Sequence, residues 1–329
     1  MDAAQALTGI VATATRAPSM HNTQPWLFRV IPAAAEDLRG AVIEVRSDPR
    51  RRLPVADPTG WAVRVACGAA LLGVRLAVTA TGHTPQVSVL PDPVDAELIG
   101  RVRIGEPRPA TPQERELYTA IGHRRSNRSP FHDVPAAPGS GTRLQQAARA
   151  EGAWLDVLDD PRDRAAVAGV VWRAQDQLAA DPAYAAELAS WVRAGADGVP
   201  ERAAGPAPAR HDLLALRDFG SRPRAPGRDF EPNPLVCVLG TDTDRASDQV
   251  RAGMALYRVL LAATAAGLAA SILSQPIELP QLRHELRTAL RRTGGWPQMV
   301  LRVGYGTLPP ASPRRPVADV LDIAPVPAG

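Results

Sequence analysis

Apolar positions along the chain fall into two kinds of pattern. Val63, Cys67, Ala70, Leu71 and Val74 recur at steps of three and four, which puts them on one helical face. Asp57 and Pro58 lie just ahead of them and suit an N-cap and a first helical position, so the spacing predicts a long helix from there. Residues 3–15 predict a shorter helix, stopped by Pro18. Brief apolar or alternating runs over 27–31, 41–45, 86–90 and 98–104 predict strands. A proline-rich stretch at 106–112 then breaks the pattern.

The series begins again after that break. Helical spacing covers 113–122, 141–151, 162–180, 182–193, 247–268 and 281–290, with strand-like runs at 154–158, 235–239 and 299–303. Residues 259–273 are the longest apolar run. They are too short to cross a bilayer, follow Arg258, and read as part of a buried helix. Each half passes from a short helix through a polar loop to strands around a long apolar helix. That repetition predicts a diverged internal duplication, with a first domain at 1–110 and a second at 111–329. Residues 195–234 are rich in Pro, Gly and Arg and lack periodicity. An insertion of that length in a compact chain reads as a functional lid or as a disordered segment.

Composition narrows the function. The 329 residues are 45% hydrophobic and 22% charged, an ordinary globular balance. Every Lys+Arg position is Arg, which excludes a Schiff-base lysine and a P-loop lysine. The net charge of +4 is interspersed with acids and forms no basic stripe with aromatics, so no nucleic-acid partner is expected. No signal peptide or membrane segment is read. Cys67 and Cys237 are far apart in apolar settings and read as buried thiols in a reducing cytoplasm. The six histidines show no metal-ligand spacing. Gly139-Ser140-Gly141 follows no strand, and no G-x-S-x-G occurs, so neither a dinucleotide fingerprint nor a hydrolase elbow is present.

Three segments can carry chemistry. Residues 17–26, A-P-S-M-H-N-T-Q-P-W, set uncharged donors and acceptors between two prolines, which suits the edge of a large heterocycle and its hydroxyls. An ordinary Asx/Pro turn beside a half-buried Trp fits the same residues. Arg124, Arg125 and Arg128 with Ser126 put three guanidinium groups and a hydroxyl within five residues, a phosphate-chelating set or a solvated charge run. Arg314 and Arg315 lie between prolines after Gly304-Tyr305-Gly306, as an anion site or as a basic tail.

In combination these segments resemble the nitroreductase superfamily. A-P-S-x-x-N-x-Q-P-W is its flavin-edge signature, and the fuller form with R-R-S-N-R, G-Y-G and R-R-P is similar to the Acg-like branch of actinobacteria. The resemblance implies an α+β nitroreductase-like fold, built here as two tandem domains fused into an intrachain pseudo-dimer, either monomeric or paired further into a homodimer. It implies FMN as cofactor and NADPH or NADH as reductant. It places Ser19, Asn22 and Gln24 along the flavin, with His21, Thr23 and Pro25 holding the loop. Arg124 and Ser126 meet the phosphate and ribityl chain, Arg128 the N1–O2 edge, and Arg314 and Arg315 complete the phosphate site. The segment Ser274-Gln275-Pro276-Ile277-Glu278 resembles the family segment Pro-Ile-Glu-Gly, whose backbone approaches flavin N5, with Leu279 here in place of the glycine; this adds Gln275 and Glu278 to the implied site. The implied function is a flavin oxidoreductase acting on a small molecule. FMN sequestration under the lid is one alternative, and a tailoring dehydrogenase is another. No side chain is assigned as catalytic, because such chemistry belongs to the cofactor.

Overall fold

A computed structural model of the chain describes residues 3–33, 37–220, 223–224, 229–292 and 294–325. In chain order the elements are α1 (Ala3–Ala14), β1 (Trp26–Ile31), β2 (Val42–Ser47), α2 (Trp61–Ala80), β3 (His83–Val89), β4 (Leu98–Pro107), α3 (Pro112–His123), α4 (Ser140–Arg149) and β5 (Trp154–Val157). They continue with α5 (Pro161–Ala179), α6 (Pro182–Ser190), β6 (Leu235–Thr241), α7 (Ala246–Ala265), β7 (Ala269–Leu273), α8 (Gln275–Glu278), α9 (Pro280–Ala289), β8 (Trp296–Gly304) and β9 (Leu321–Ile323).

Among the described residues the strands form two sheets, ordered β3-β4-β2-β1-β9 and β7-β8-β6-β5. With β9 set aside, the connectivity repeats. Two antiparallel strands are followed by a long helix, an edge strand, and a strand that returns between. The C-terminal β9 crosses to the first sheet and pairs parallel with β1, so the boundary expected at 110 is bridged by the tail.

The core lies between the sheets, around α2 and α7, each of 20 residues. Helix α2 is apolar and buried on nearly every side, as expected of a helix packed all round. It is long and apolar enough to cross a membrane, yet it sits inside the protein. The two helices run in opposite directions and meet at glycines. A Cβ on Gly68 would lie 2.0 Å from the Val250 carbonyl oxygen, and one on Gly253 would lie 2.0 Å from that of Val65. Each glycine thus rests on the carbonyl three residues before the other. Contact this close leaves no room for a side chain.

Local chemistry corrects two expectations. Helix α2 starts at Trp61, not at Pro58, because Gly60 takes a left-handed φ of 74°. Asp57 still caps it from a distance by accepting from the Val63 N–H at 3.1 Å. The apolar run 259–273 is not one helix. Helix α7 ends at Ala265, Gly267 turns the chain with a φ of +71°, and β7 follows. A left-handed glycine is a common helix stop, and apolarity alone does not separate a buried helix from a buried strand. Both thiols are buried and unpaired by disulfide, and burial pushes Cys237 up to about 12.

Within the 195–234 insertion, residues 221–222 and 225–228 lie outside the described residues. The described part packs inward. Val199, Ala203, Ala204, Leu214, Ala215, Leu216 and Phe219 are buried, and each large side chain so placed contributes about 2 kcal/mol.

Candidate functional site

The loop after α1 is held in an unusual backbone. His21, Asn22 and Gln24 have φ of 49°, 56° and 52°, a region that costs non-glycine residues about 1–3 kcal/mol each. Polar contacts from distant segments offset that strain. Ser19 Oγ accepts from the Gln24 N–H at 3.0 Å. The Gln24 side chain donates to the Ala196 carbonyl at 2.9 Å and accepts from the Arg315 N–H at 2.9 Å. Asn22 donates to the carbonyls of Gly198 at 2.9 Å and Pro313 at 3.1 Å. Arg51 donates to the Thr23 carbonyl at 2.8 Å, and the Cys67 thiol donates to that of Pro25 at 3.3 Å. The insertion and the tail therefore both clamp the loop.

The arginine segment is fixed to the second sheet. Helix α3 ends at His123 and Arg124 turns extended. Ser126 bridges to Ala270 of β7, and the Asn127 N–H donates to the Ala270 carbonyl at 2.9 Å. The Asn127 amide donates to the Thr307 carbonyl at 3.0 Å.

Loop and segment meet around two adjoining recesses. The larger encloses about 770 Å³ including its open mouth, within the roughly 300–1,000 Å³ of small-molecule sites. Its floor is apolar, from Ala62, Val65, Ala66, Leu256, Ile272 and Met299, with Trp61 beside them. Ser19, His21, Arg128, Ser271 and Ser274 add polar groups. The second recess carries Arg16, Arg124, Arg125, Arg128 and Arg314 with Asn22 and Ser312, and no acidic side chain among the described residues lines it. Pro18, Ser19, Ser126 and Arg128 border both recesses.

The electrostatics differ sharply between them. Arg124 is 5% exposed, and among the described residues its Nε and Nη1 have no hydrogen-bond partner. It donates to the Arg16 carbonyl at 3.4 Å, lies 5.9 Å from the Tyr257 ring, and interacts electrostatically with the buried Tyr257 hydroxyl. Arg314 donates to the Thr15 carbonyl at 2.7 Å and to Asn22 Oδ1 at 3.0 Å. Enclosure, then the neighbouring Arg124, pushes Arg314 down to about 9. Arg128 is pushed down to about 10 by enclosure and by Arg217 and Arg124. Burying cations without a counter-charge is expensive, and a multiply charged anion would relieve that cost. His21 is held neutral, its basicity lowered by burial and by Arg217 and Arg128.

The structure redistributes the expected site residues. Ser19, Ser126 and Arg128 border both recesses, and Asn22, Arg124 and Arg314 line the cationic one. His21 lines the apolar cavity rather than merely holding the loop. Gln24 does not line it. Its side chain is fully buried and spent on the insertion and tail. Arg315 does not join the cationic recess, because it turns to Asp48 at 3.5 Å and to the Asp319 carbonyl at 3.0 Å. Thr23 and Pro25 contribute backbone carbonyls to the loop's support. Gln275 is buried against the Ala215 carbonyl at 3.0 Å. Glu278 forms an enclosed ion pair with Arg217 and accepts from the Tyr184 hydroxyl at 3.2 Å. Neither Gln275 nor Glu278 reaches the cavity; Ser274, just before them, does.

Leu216, Arg217 and Phe219 of the insertion also line the cavity. The Phe219 ring meets the His21 ring edge-on at 5.8 Å and lies 4.7 Å from the Arg128 guanidinium. Sequence reading placed a lid there but named none of these residues, since an aperiodic segment does not reveal which side chains turn inward. Trp61 and Arg16 were missed as well, each looking like the end of a helix.

No protein-family model matches the chain. It is 32% identical over 330 residues to "Putative NAD(P)H nitroreductase Rv3131" of Mycobacterium tuberculosis, covering 97% of this chain and 92% of that protein. It is 32% identical over 323 residues to "Putative NAD(P)H nitroreductase acg" of the same organism, covering 95% and 94%. A nitroreductase with bound FMN from Desulfitobacterium hafniense overlays with a TM-score of 0.40 at 15% identity, over 60% of this chain and 94% of its own.

Proposed function

The chain belongs to the nitroreductase family, alongside acg, and on that premise we propose that it is a flavin oxidoreductase holding FMN across the junction of two tandem, diverged halves. The single observation that carries the reading is Arg124, a buried guanidinium with two unpartnered nitrogens in a recess of cations that opens onto an apolar cavity. A phosphate suits the cationic recess and a planar ring the apolar cavity, which is the shape of FMN. The two sheets of matching strand order and the reciprocal glycine contact support the fused pseudo-dimer.

In this reading Arg124, Arg314, Ser126 and Ser312 hold the phosphate. Bound FMN supplies hydride transfer at N5, with NADPH or NADH as reductant. Arg128, at the border of the recesses, stabilises negative charge at the ring's edge. The apolar floor and Phe219 exclude water. The two unpaired buried thiols suit a reducing cytoplasm.

The test is anaerobic. The chain purified with FMN is expected to be yellow and to bleach on addition of NADPH or NADH. A colourless protein that fails to retain FMN would sink the flavin reading. A second reading, FMN sequestration, draws on the inward packing of Leu216, Arg217 and Phe219. Bleaching only after Phe219→Ala, and not in the intact chain, would establish it over turnover.

A further inference from the structure

Trp61 stands apart from two other tryptophans, Trp26 in the core and Trp154 packed against it. Among the described residues the indole N–H groups of Trp26 and Trp154 have no hydrogen-bond partner. That of Trp61, the first residue of α2 and part of the cavity wall, donates to Gln298 Oε1 at 2.7 Å. Gln298 lies on β8, in the other half of the molecule, and is 1% exposed.

The glutamine is itself braced on both amide hydrogens. It donates to Thr241 Oγ1 and to Asp244 Oδ1, each at 2.9 Å. Arg283 grips Asp244 through two donations of 2.7 Å and also donates to the Pro297 carbonyl at 2.8 Å. Gln249 adds a contact to Asp244 at 3.1 Å and accepts from Arg64 Nε, one turn along α2 from Trp61, at 2.6 Å. Every member of this network has a partner, and its buried centre at Gln298 and Thr241 runs out to the partly exposed Asp244 and Arg283; a satisfied network of this kind fixes geometry as well as adding stability. Its terminus is an aromatic side chain in the wall of a cavity that Phe219 and His21 also line. Trp61 is also packed in the core at 5% exposure, so the hydrogen bond to Gln298 adds direction to a ring that packing already holds.

We propose that Trp61 is the face on which a planar aromatic ring packs in the cavity, with Gln298 as the positioning residue that sets its orientation. The inference deepens the flavin reading and rests on it for one of two sources of that ring, the cofactor itself or a second aromatic molecule beside it.

The experiment is a double-mutant cycle on the full chain with Gln298→Met, Trp61→Phe and the pair. Two dissociation constants are read for each variant: that of FMN by fluorescence quenching, and that of nitrobenzene by difference absorbance on the FMN-loaded protein. Aromatic pairing predicts a loss of about 3- to 10-fold for Gln298→Met in the wild-type background and none once Trp61 is Phe. A loss in FMN affinity assigns the ring to the cofactor; a loss confined to nitrobenzene assigns it to a second molecule. A purely structural role would lower the Tm of Gln298→Met while leaving both constants unchanged, and that result overturns the proposal, as does an equal loss in the Trp61→Phe background. Should wild type take up no FMN, the flavin reading fails by itself, and nitrobenzene quenching of tryptophan fluorescence still judges Trp61 through the same cycle.

Discussion

The two halves share a frame and divide the labour unequally. Both set four antiparallel strands in the same order around a 20-residue helix. The first half contributes Arg16, a strained loop of uncharged residues and the start of α2 to the site. The second contributes the cations Arg124, Arg125, Arg128 and Arg314 and the inserted segment. Between β1 and β2 the chain needs only residues 32–41, whereas between β5 and β6 it runs from 158 to 234. A repeated frame therefore leaves one junction specialised, and equivalence in packing does not carry equivalence in chemistry.

The packing side of the comparison breaks most violently at the helix crossing. Gly68→Val and Gly253→Val each drive a side chain into a backbone carbonyl of the other helix, a cost of about 3 kcal/mol or more. Because the contact is reciprocal, the two losses should match within about 1 kcal/mol when measured by denaturant unfolding. Tolerance at one position and collapse at the other would refute the equivalence of the helices.

Much of this frame was legible in sequence. The repeated series of helix, strands and long helix emerged from periodicity, and the polar loop from its residue types. What escaped depended on long-range partners. Gln24 carries the chemistry of a ligand contact, but an N–H at Arg315 and a carbonyl at Ala196 claim it first. Arg315 looks equivalent to Arg314, yet Asp48 is within reach of only one of them. The strand β9 is three residues long and has no pattern to read; it exists because β1 offers an edge. The 259–273 run hid a helix stop because Gly267 was weighed against its apolar neighbours rather than as a left-handed turn.

The chemical asymmetry is tested next. Arg124→Met should weaken FMN by about 30- to 100-fold, from the loss of a charge-assisted contact worth about 2–3 kcal/mol. Riboflavin, which lacks the phosphate, should change little. The same substitution should raise the Tm of the FMN-free protein, because it removes an unpartnered buried charge. Equal losses for FMN and riboflavin would remove the phosphate from this recess.

A gentler probe is pH. Enclosure and the neighbouring Arg124 push Arg314 down to about 9, and it attracts an anion by charge only while protonated. The preference for FMN over riboflavin should therefore hold at neutral pH and decline as pH rises through about 9, by up to tenfold per unit for one linked proton. The decline should vanish in Arg314→Gln. A preference that stays flat from pH 7.5 to 10 in the wild type would mean that Arg314 is not the linked group.

The smallest expected effect concerns the segment that the first half lacks. Phe219 closes the cavity by meeting His21 edge-on and by lying 4.7 Å from the Arg128 guanidinium. A cation–π contact of this kind contributes about 0.5–2 kcal/mol. Phe219→Ala should thus speed FMN release, followed by stopped-flow fluorescence, by about 3- to 10-fold, and should also lower the folding Tm, because the ring is buried. Phe219→Leu fills the space without the ring's electrostatics and should recover only part of that loss. If leucine recovers all of it, the insertion acts through bulk alone, and its asymmetry is one of shape; if it recovers none, the second half has supplied its own aromatic partner for the cation at the junction.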